Sequence, residues 1–378
     1  MKRNSTNLYI ILLLIVALIF SFLTIYSFGA EKSTDISAGA RSAVLYQPET
    51  KVFLYEKNAD QRLPMASTTK IMTALVALQN SNPSDLVVIN EDSVGIEGSS
   101  AYLQAGEILS MEELLYALLL QSANDAATAI AYYVGRDVVS FANMMNQKAL
   151  ELGLQDTHFT NPHGLDDKDH YTTARDLAII AAAALENDLF KQITSTFKKT
   201  FATEEKSRTY VNHNKLLRMY DGCIGVKTGY TKKSGRCLVS ASEREGLTFI
   251  SVTLDAPNDW SNHKAMLDFG YNKLQKIHLA KTEEYCYNIP VINGEKDSVK
   301  IKNTIDASII IENKEYEVNQ HTKIIRYAVA PIMEGDILGE IIFTIDGKTL
   351  ARINLVADET ILAKKEKGLL KRLLLILK

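Results

Sequence analysis

Residues 65–78 read MASTTKIMTALVAL. A Ser/Thr cluster precedes an apolar run at helical spacing, which predicts a buried helix with its N-terminus in the cluster. Lys70 stands in the first turn, where a lysine entering a core is costly unless something needs it. Ser67 lies three residues earlier, so a helix brings the two side chains onto one face. A serine hydroxyl is a weak nucleophile that needs a base within hydrogen-bond reach. A buried lysine can be that base once its pKa falls from about 10.4 toward neutrality, a differential destabilisation of roughly 4 kcal/mol. Burial supplies part of the shift, and a second cation nearby would supply more. The spacing alone is a weak signal, because Ser195/Lys198 and Ser261/Lys264 repeat it in polar, charged segments. Only Ser67 and Lys70 stand at the start of a buried-type helix.

The 378 residues, 46% hydrophobic and 23% charged, suffice for a large core and two folded units. Both termini are basic, so the body is more acidic than the formal net charge of -3 suggests, and no nucleic-acid surface is expected. Lys2 and Arg3 precede an apolar run from Leu8 to Phe28, then Gly29 and Ala30. Residues 1–30 therefore read as an export signal, or as an uncleaved anchor long enough to span a bilayer. Either reading puts the remainder outside the cytoplasm. Cys223, Cys237 and Cys286 are too few and scattered for a disulfide framework or a zinc site, although Cys223 and Cys237 could meet across adjacent strands. The seven histidines form no metal-ligand spacing, and neither metal nor cofactor is expected.

A polar linker (31–40) leads into two strands around Gln47-Pro48-Glu49-Thr50. After the opening helix, SMEELLYALLLQSANDAATAIAYYVG predicts helix on both sides of a break near Ser122. Met144 to Leu152 reads as helix, and Thr172, Thr173 and Asp176 mark the start of an alanine-rich one. From Asp221 the pattern turns to three strands, and a helix around His263 to Leu274 closes the region. Residues 41–278 thus describe an antiparallel sheet flanked by helices. Residues 281–363 carry short β-type segments between polar turns, a separate small all-β domain. In residues 364–378, AKKEKGLLKRLLLILK without its first alanine, the leucines share a helical face with Lys371 and Arg372 between them. That stretch is too short to span a membrane and reads as a basic amphipathic helix in an anionic interface.

Two further patterns carry chemistry. Ser122 and Asn124, one residue apart in a turn, offer a hydroxyl and an amide to one cavity. Lys227, Thr228 and Gly229 lie on a strand that can bind a peptide edge-on, with Gly229 leaving room for close approach. Lys233-Ser234-Gly235 falls in the turn that follows.

Ser-x-x-Lys, Ser-x-Asn and Lys-Thr-Gly occur in that order, a triple known from penicillin-binding proteins and class A β-lactamases. With LPMASTTKIMTAL, LLLQSANDAA, FTNPHGLDD, YTTARDLA and GVKTGYT, the chain resembles the serine D-alanyl-D-alanine carboxypeptidases over roughly Arg41 to Leu274. APIMEGDILGEIIFTIDGKTL resembles the β-rich C-terminal domain of the same proteins. The resemblance implies an α+β penicillin-binding, β-lactamase-like transpeptidase fold with a small C-terminal all-β domain. It implies Ser67 as nucleophile, Lys70 as base, and Ser122 and Asn124 as proton relay and substrate holder. Lys227 becomes the neighbouring cation and Thr228 the carboxylate binder, beside Gly229; Ser67 and Tyr230 N–H groups form the oxyanion hole. The implied substrate is the pentapeptide stem of peptidoglycan ending in D-Ala-D-Ala, with β-lactams as covalent inhibitors. A DD-endopeptidase of wall cross-links and a silent wall-binding protein are the alternatives. Two departures stand out. No Glu-x-x-x-Asn segment for a deacylating water falls within residues 41–278, and Asn258-Asp259-Trp260 stands where many relatives carry an arginine.

Overall fold

SAVLYQ, the strand Ser42–Gln47, has no exposed residue. Successive side chains of a strand point to opposite faces, so such a run must be covered on both sides. Val44 and Tyr46 face a large helical cluster, while Ala43 and Leu45 join Phe249, Met266 and Leu267 on the other face. The strand lies inside a five-stranded antiparallel sheet ordered Val52–Lys57, Ser42–Gln47, Leu247–Leu254, Gly235–Arg244, Cys223–Thr231. The Asp259–Lys273 helix covers one face, and the Ala174–Leu185 helix lies on the other. Behind it are Met111–Leu119, Asn124–Gly135 and Val138–Glu151, packed around Lys70–Asn80, which is buried from Lys70 to Ala77. The computed structural model describes residues 35–202 and 207–364. The expected leader and all of the C-terminal amphipathic segment except Lys364 lie outside the described residues. None of the described helices is long and apolar enough to cross a membrane.

The antiparallel sheet between helices is the architecture expected from the sequence, as is the β-rich C-terminal part. There a six-stranded sheet runs Asn319–Ile324, Ile337–Ile345, Lys348–Ala357, Ser298–Lys302, Cys286–Ile292, Ala328–Val329. Its core gathers Ile289, Val299, Ile301, Ile341, Ile353 and Leu355.

Three local expectations are corrected. The Ser/Thr cluster does not cap a helix: Ala66–Thr69 is a 3-10 turn, and the α-helix begins at Lys70 without a side-chain cap. The Thr68 and Thr69 hydroxyls instead donate back to the Met65 and Ala66 carbonyls at 2.6 and 2.8 Å, the local bonding by which Ser and Thr favour turns. Cys223 and Cys237 do sit on adjacent strands, but the register sets Cys237 opposite Gly229 and Cys223 opposite Ser242, and both are free thiols. The Met144–Leu152 helix is longer, starting at Val138, with Asp137 accepting from Ser140 N at its N-cap. The strands Lys198–Ala202 and Ser207–Val211 were not expected at all.

His263 is buried beneath the sheet with its Nδ1 2.5 Å from Ser240 Oγ and its Nε2 2.9 Å from Thr253 Oγ1. Burial pushes its pKa from 6.5 down to about 3. The folded ring stays neutral while the unfolded ring takes up a proton, so stability present above pH 6.5 is lost as pH falls toward 3. Thermal melts across that window are predicted to show a shallower acid slope for His263→Gln, by up to about 1.4 kcal/mol per pH unit. An unchanged slope would exclude His263 as a source of acid lability.

Candidate active site

The site begins at a strained turn. Ala66 adopts φ +48°, a left-handed conformation that a non-glycine residue rarely takes, directly before Ser67. The turn is locked from behind. Thr160 N–H donates to His170 Nδ1, which leaves the proton on Nε2 to reach Thr69 Oγ1 at 2.8 Å, and Thr69 donates onward to Ala66 O. Burial holds His170 at about 4, which keeps this neutral tautomer. Gly164 (φ +89°) packs so closely that a Cβ there would sit 2.0 Å from Ala66 O. Only glycine fits.

Lys70 is completely buried one turn later. Its Nζ lies 2.6 Å from His163 O, 2.7 Å from Asn124 Oδ1 and 3.0 Å from Ser67 Oγ. The two carbonyl oxygens can only accept, so each takes an N–H. A neutral amine has two N–H bonds and one lone pair, and the lone pair is then left for the Ser67 hydroxyl. The electrostatics favour that form. The Lys70 pKa lies well below the usual lysine value, first because of burial and second because of the Lys227 cation, with Asp125 opposing. Burial, rather than Lys227, is thus the larger cause. His163 is pushed down to about 3, mainly by burial and then by Lys70, so it adds no competing charge.

The expected residues converge on this point. Asn124 opens its helix, binds Lys70 through Oδ1, and donates through Nδ2 to Glu97 O. Ser122 is buried in the break between two helices at φ +62°, with no hydrogen bond of its hydroxyl among the described residues. Lys227 is buried on the Cys223–Thr231 strand, donates to Thr228 O at 2.9 Å, and has a pKa lowered to about 7 by burial. This strand is the last of its sheet, so one edge is open for an extended ligand. At Gly229 the strand backs onto the serine turn: a Cβ there would lie 3.1 Å from Met65 O, Ser67 N and Thr68 N. The other Ser-x-x-Lys pairs are elsewhere, Ser195 and Lys198 both exposed, and Ser261 exposed on the closing helix.

Sequence reasoning missed two contributors. Asp125 is buried and accepts from Ala101 N at 3.0 Å, Leu103 N at 3.1 Å and Ser100 Oγ at 2.6 Å, fastening the loop that flanks Asn124. An acidic residue in the first turn of an otherwise apolar helix was the available signal. Arg236 stands opposite Tyr230 across the strand pair and bridges the buried Asp259 at 2.8 Å. A guanidinium is therefore present near the strand end, reached from another position than the Asn258-Asp259-Trp260 segment. Among the described residues no His/Cys/Asp/Glu group could hold a metal. A hydroxyl, a neutral amine against it, a second hydroxyl and a cation beside an open strand edge form the equipment for acyl transfer through a serine ester.

Comparison with known proteins agrees in class. Residues 29–258 match the family described as D-alanyl-D-alanine carboxypeptidase, and residues 274–362 match the penicillin-binding protein 5 C-terminal domain. The D-alanyl-D-alanine carboxypeptidase DacF of Bacillus subtilis is 31% identical over 340 residues, covering 87% of each chain. The crystal structure of penicillin-binding protein 5 from Haemophilus influenzae is 29% identical, covers 86% of this chain and 98% of its own, and superposes with a TM-score of 0.61. The Streptomyces K15 DD-transpeptidase is 35% identical over 62% of this chain and 97% of its own, with a TM-score of 0.58.

The close approach at Gly229 gives a test. Gly229→Ala is predicted to fold normally but to lower kcat/KM by about 100-fold, because a displacement of a few tenths of an ångström separates the strand from the serine turn. Activity within twofold of the parent would show that the approach does not matter.

Proposed function

The chain belongs to the D-alanyl-D-alanine carboxypeptidase family, and from that membership we infer the chemistry of its individual residues. It is a serine-type peptidase that removes the terminal D-alanine from peptides ending in D-alanyl-D-alanine. The observation that supports our assignment of roles is the placement of Lys70 Nζ between two carbonyl acceptors and the Ser67 hydroxyl.

In this reading Ser67 Oγ attacks the carbonyl between the two D-alanines as its proton passes to Lys70 Nζ. The oxyanion meets the backbone N–H groups of Ser67 and Tyr230, and the close packing of the preceding Gly229 on the Ser67 turn supports this reading. Ser122 Oγ carries the proton from Lys70 to the departing amine, and D-alanine leaves. Water then hydrolyses the acyl-serine. The peptide adds along the open edge of the Cys223–Thr231 strand. Thr228 and the Lys227 cation receive its terminal carboxylate. A β-lactam follows the same first step and stays as the ester. That residues 41–278 hold no Glu-x-x-x-Asn segment supports a carboxypeptidase over an efficient β-lactamase. Peptidoglycan stems lie outside the cytoplasm, which agrees with an export signal in residues 1–30. We also propose that residues 364–378 hold the protein at the outer face of the membrane.

Intact-mass measurement with benzylpenicillin should show one covalent adduct, absent in Ser67→Ala and slowed by about a thousandfold in Lys70→Ala. Release of D-alanine from pentapeptide, and not cleavage of cross-linked dimer, is the expected substrate preference. An adduct on Ser67→Ala would remove Ser67 from its role.

A pH dependence follows from Lys227. Its cation is present below about 7 and lost above it. The value of kcat/KM for a substrate with a free terminal carboxylate is therefore expected to decline as pH rises through this range. The same substrate capped as an amide should lack that limb. Parallel profiles for the two would contradict carboxylate binding by Lys227.

A further inference from the structure

Large apolar side chains left in solvent gather at one end of the β-rich domain. Ile292, Tyr327, Val329, Met333 and Leu362 are each between 43 and 56% exposed. Their placement follows from the strand register. Val329 pairs with Ile292 in a parallel ladder, so the two share a face, while their neighbours Ala328 and Val291 point into the core. Tyr327 lies two residues before Val329 on an extended segment, hence on the same side. Ile332 and Ile361 are bridged and buried, which turns the following Met333 and Leu362 outward. Leu362 O in turn accepts from Glu295 N, beside the turn that ends the Cys286–Ile292 strand. The set is contiguous, and a monomeric soluble domain rarely leaves such a patch uncovered without a use for it.

The position of the patch identifies its partner. The chain enters this domain beside the other end of the same strand, where Glu283 N donates to Asn303 O and Cys286 pairs with Lys302. It leaves at the patch: Lys364 N donates to Asn293 O, and the next residues are the lysines and leucines of the C-terminal segment. Two acidic groups at this rim are matched, Asp297 by Lys364 at 3.1 Å and Glu359 by Lys296. Glu334 and Asp336 beside Met333 and Glu295 beside Leu362 make no ion pair among the described residues, so contact with an anionic surface rests on the apolar side chains and the basic tail. An aromatic ring, branched aliphatics and a methionine beside a basic apolar tail have the composition of an interfacial membrane contact.

We propose that this end of the β-rich domain is a bilayer-seating surface, inserting Tyr327, Val329 and Met333 into the headgroup boundary next to the C-terminal segment. The inference rests on the membrane reading of residues 364–378 and adds a second, folded contact to it. The domain then stands on the membrane by its far end, with orientation as well as attachment fixed.

Depth-resolved fluorescence quenching separates the two ideas. The full chain is mixed with vesicles of equimolar phosphatidylglycerol and phosphatidylethanolamine carrying brominated acyl chains, and the contribution of Trp260 is subtracted using the parent protein. Tyr327→Trp emission should be quenched by about half. Ile305→Trp, an exposed apolar position at the opposite end of the domain, should be unaffected. Sedimentation with the vesicles but no quenching of Tyr327→Trp overturns the seating surface and leaves attachment to the apolar terminal segments. Failure to sediment overturns both. Blue-shifted Tyr327→Trp emission before lipid is added overturns the proposal as well. Loss of that blue shift on dilution assigns the patch to a second copy, and loss on deleting residues 365–378 assigns it to the chain's own tail.

Discussion

A lysine without water around it is the constraint on which the rest of the catalytic unit depends. In solution an ammonium is strongly hydrated and useless as a base near neutral pH. Inside this fold it meets only oxygen acceptors and apolar walls, and the neutral amine is the form that fits. Every neighbouring element serves that exclusion. The Lys70–Asn80 helix is buried from Lys70 to Ala77, the 157–172 loop closes over its start with His163 O, and the Ser-x-Asn turn reaches in with Asn124. The sheet contributes the second cation from its edge. These pieces come from positions 67 to 227 in the chain, so the base proposed at Lys70 depends on the fold bringing them together.

Much of this was legible in the sequence because the signals are local. A serine and a lysine one turn apart before an apolar run, a Ser-x-Asn in a helical break and a Lys-Thr-Gly on a strand each fit within three or four residues. Although each alone is weak, their order along the chain made the combination legible. The fold class was legible for the same reason: GCIGVKTGY, GRCLVSASE and LTFISVTLDAP alternate or run β-rich between turn residues, while the helical segments keep the 3.6 period. The six-residue offset that keeps Cys223 from Cys237 could not be read, because register is set by pairing across the sheet and not by either strand alone. The Lys198–Ala202 and Ser207–Val211 hairpin escaped for a different reason. Its residues are mostly exposed, with only Tyr210 buried, so no run of apolar residues marks it. The ranking of causes at Lys70 also needed the structure, since burial is a property of the whole packed unit.

The strain at Ala66 and the two glycine contacts belong together. A left-handed alanine before the serine costs on the order of 1–3 kcal/mol and persists only where its surroundings over-determine it. Here they do. Gly164 presses against the Ala66 carbonyl from the loop side, the Thr69–His170 pair holds the same carbonyl from beneath, and Gly229 closes against the Ser67 and Thr68 N–H groups from the strand. The serine is thus fixed relative to the loop, the helix and the sheet at once, the kind of preorganisation that favours a tetrahedral intermediate.

The enclosure of Lys70 also makes the enzyme report on its own integrity. If the 157–172 loop lifts, water reaches the amine, its proton affinity climbs back toward that of a free lysine, and the base disappears before the fold does. A nicked, misassembled or half-folded copy outside the cell would hold the same serine and lysine one turn apart and still be chemically silent. If Lys70 acts as proposed, hydrolytic power is confined to molecules whose packing around it is complete.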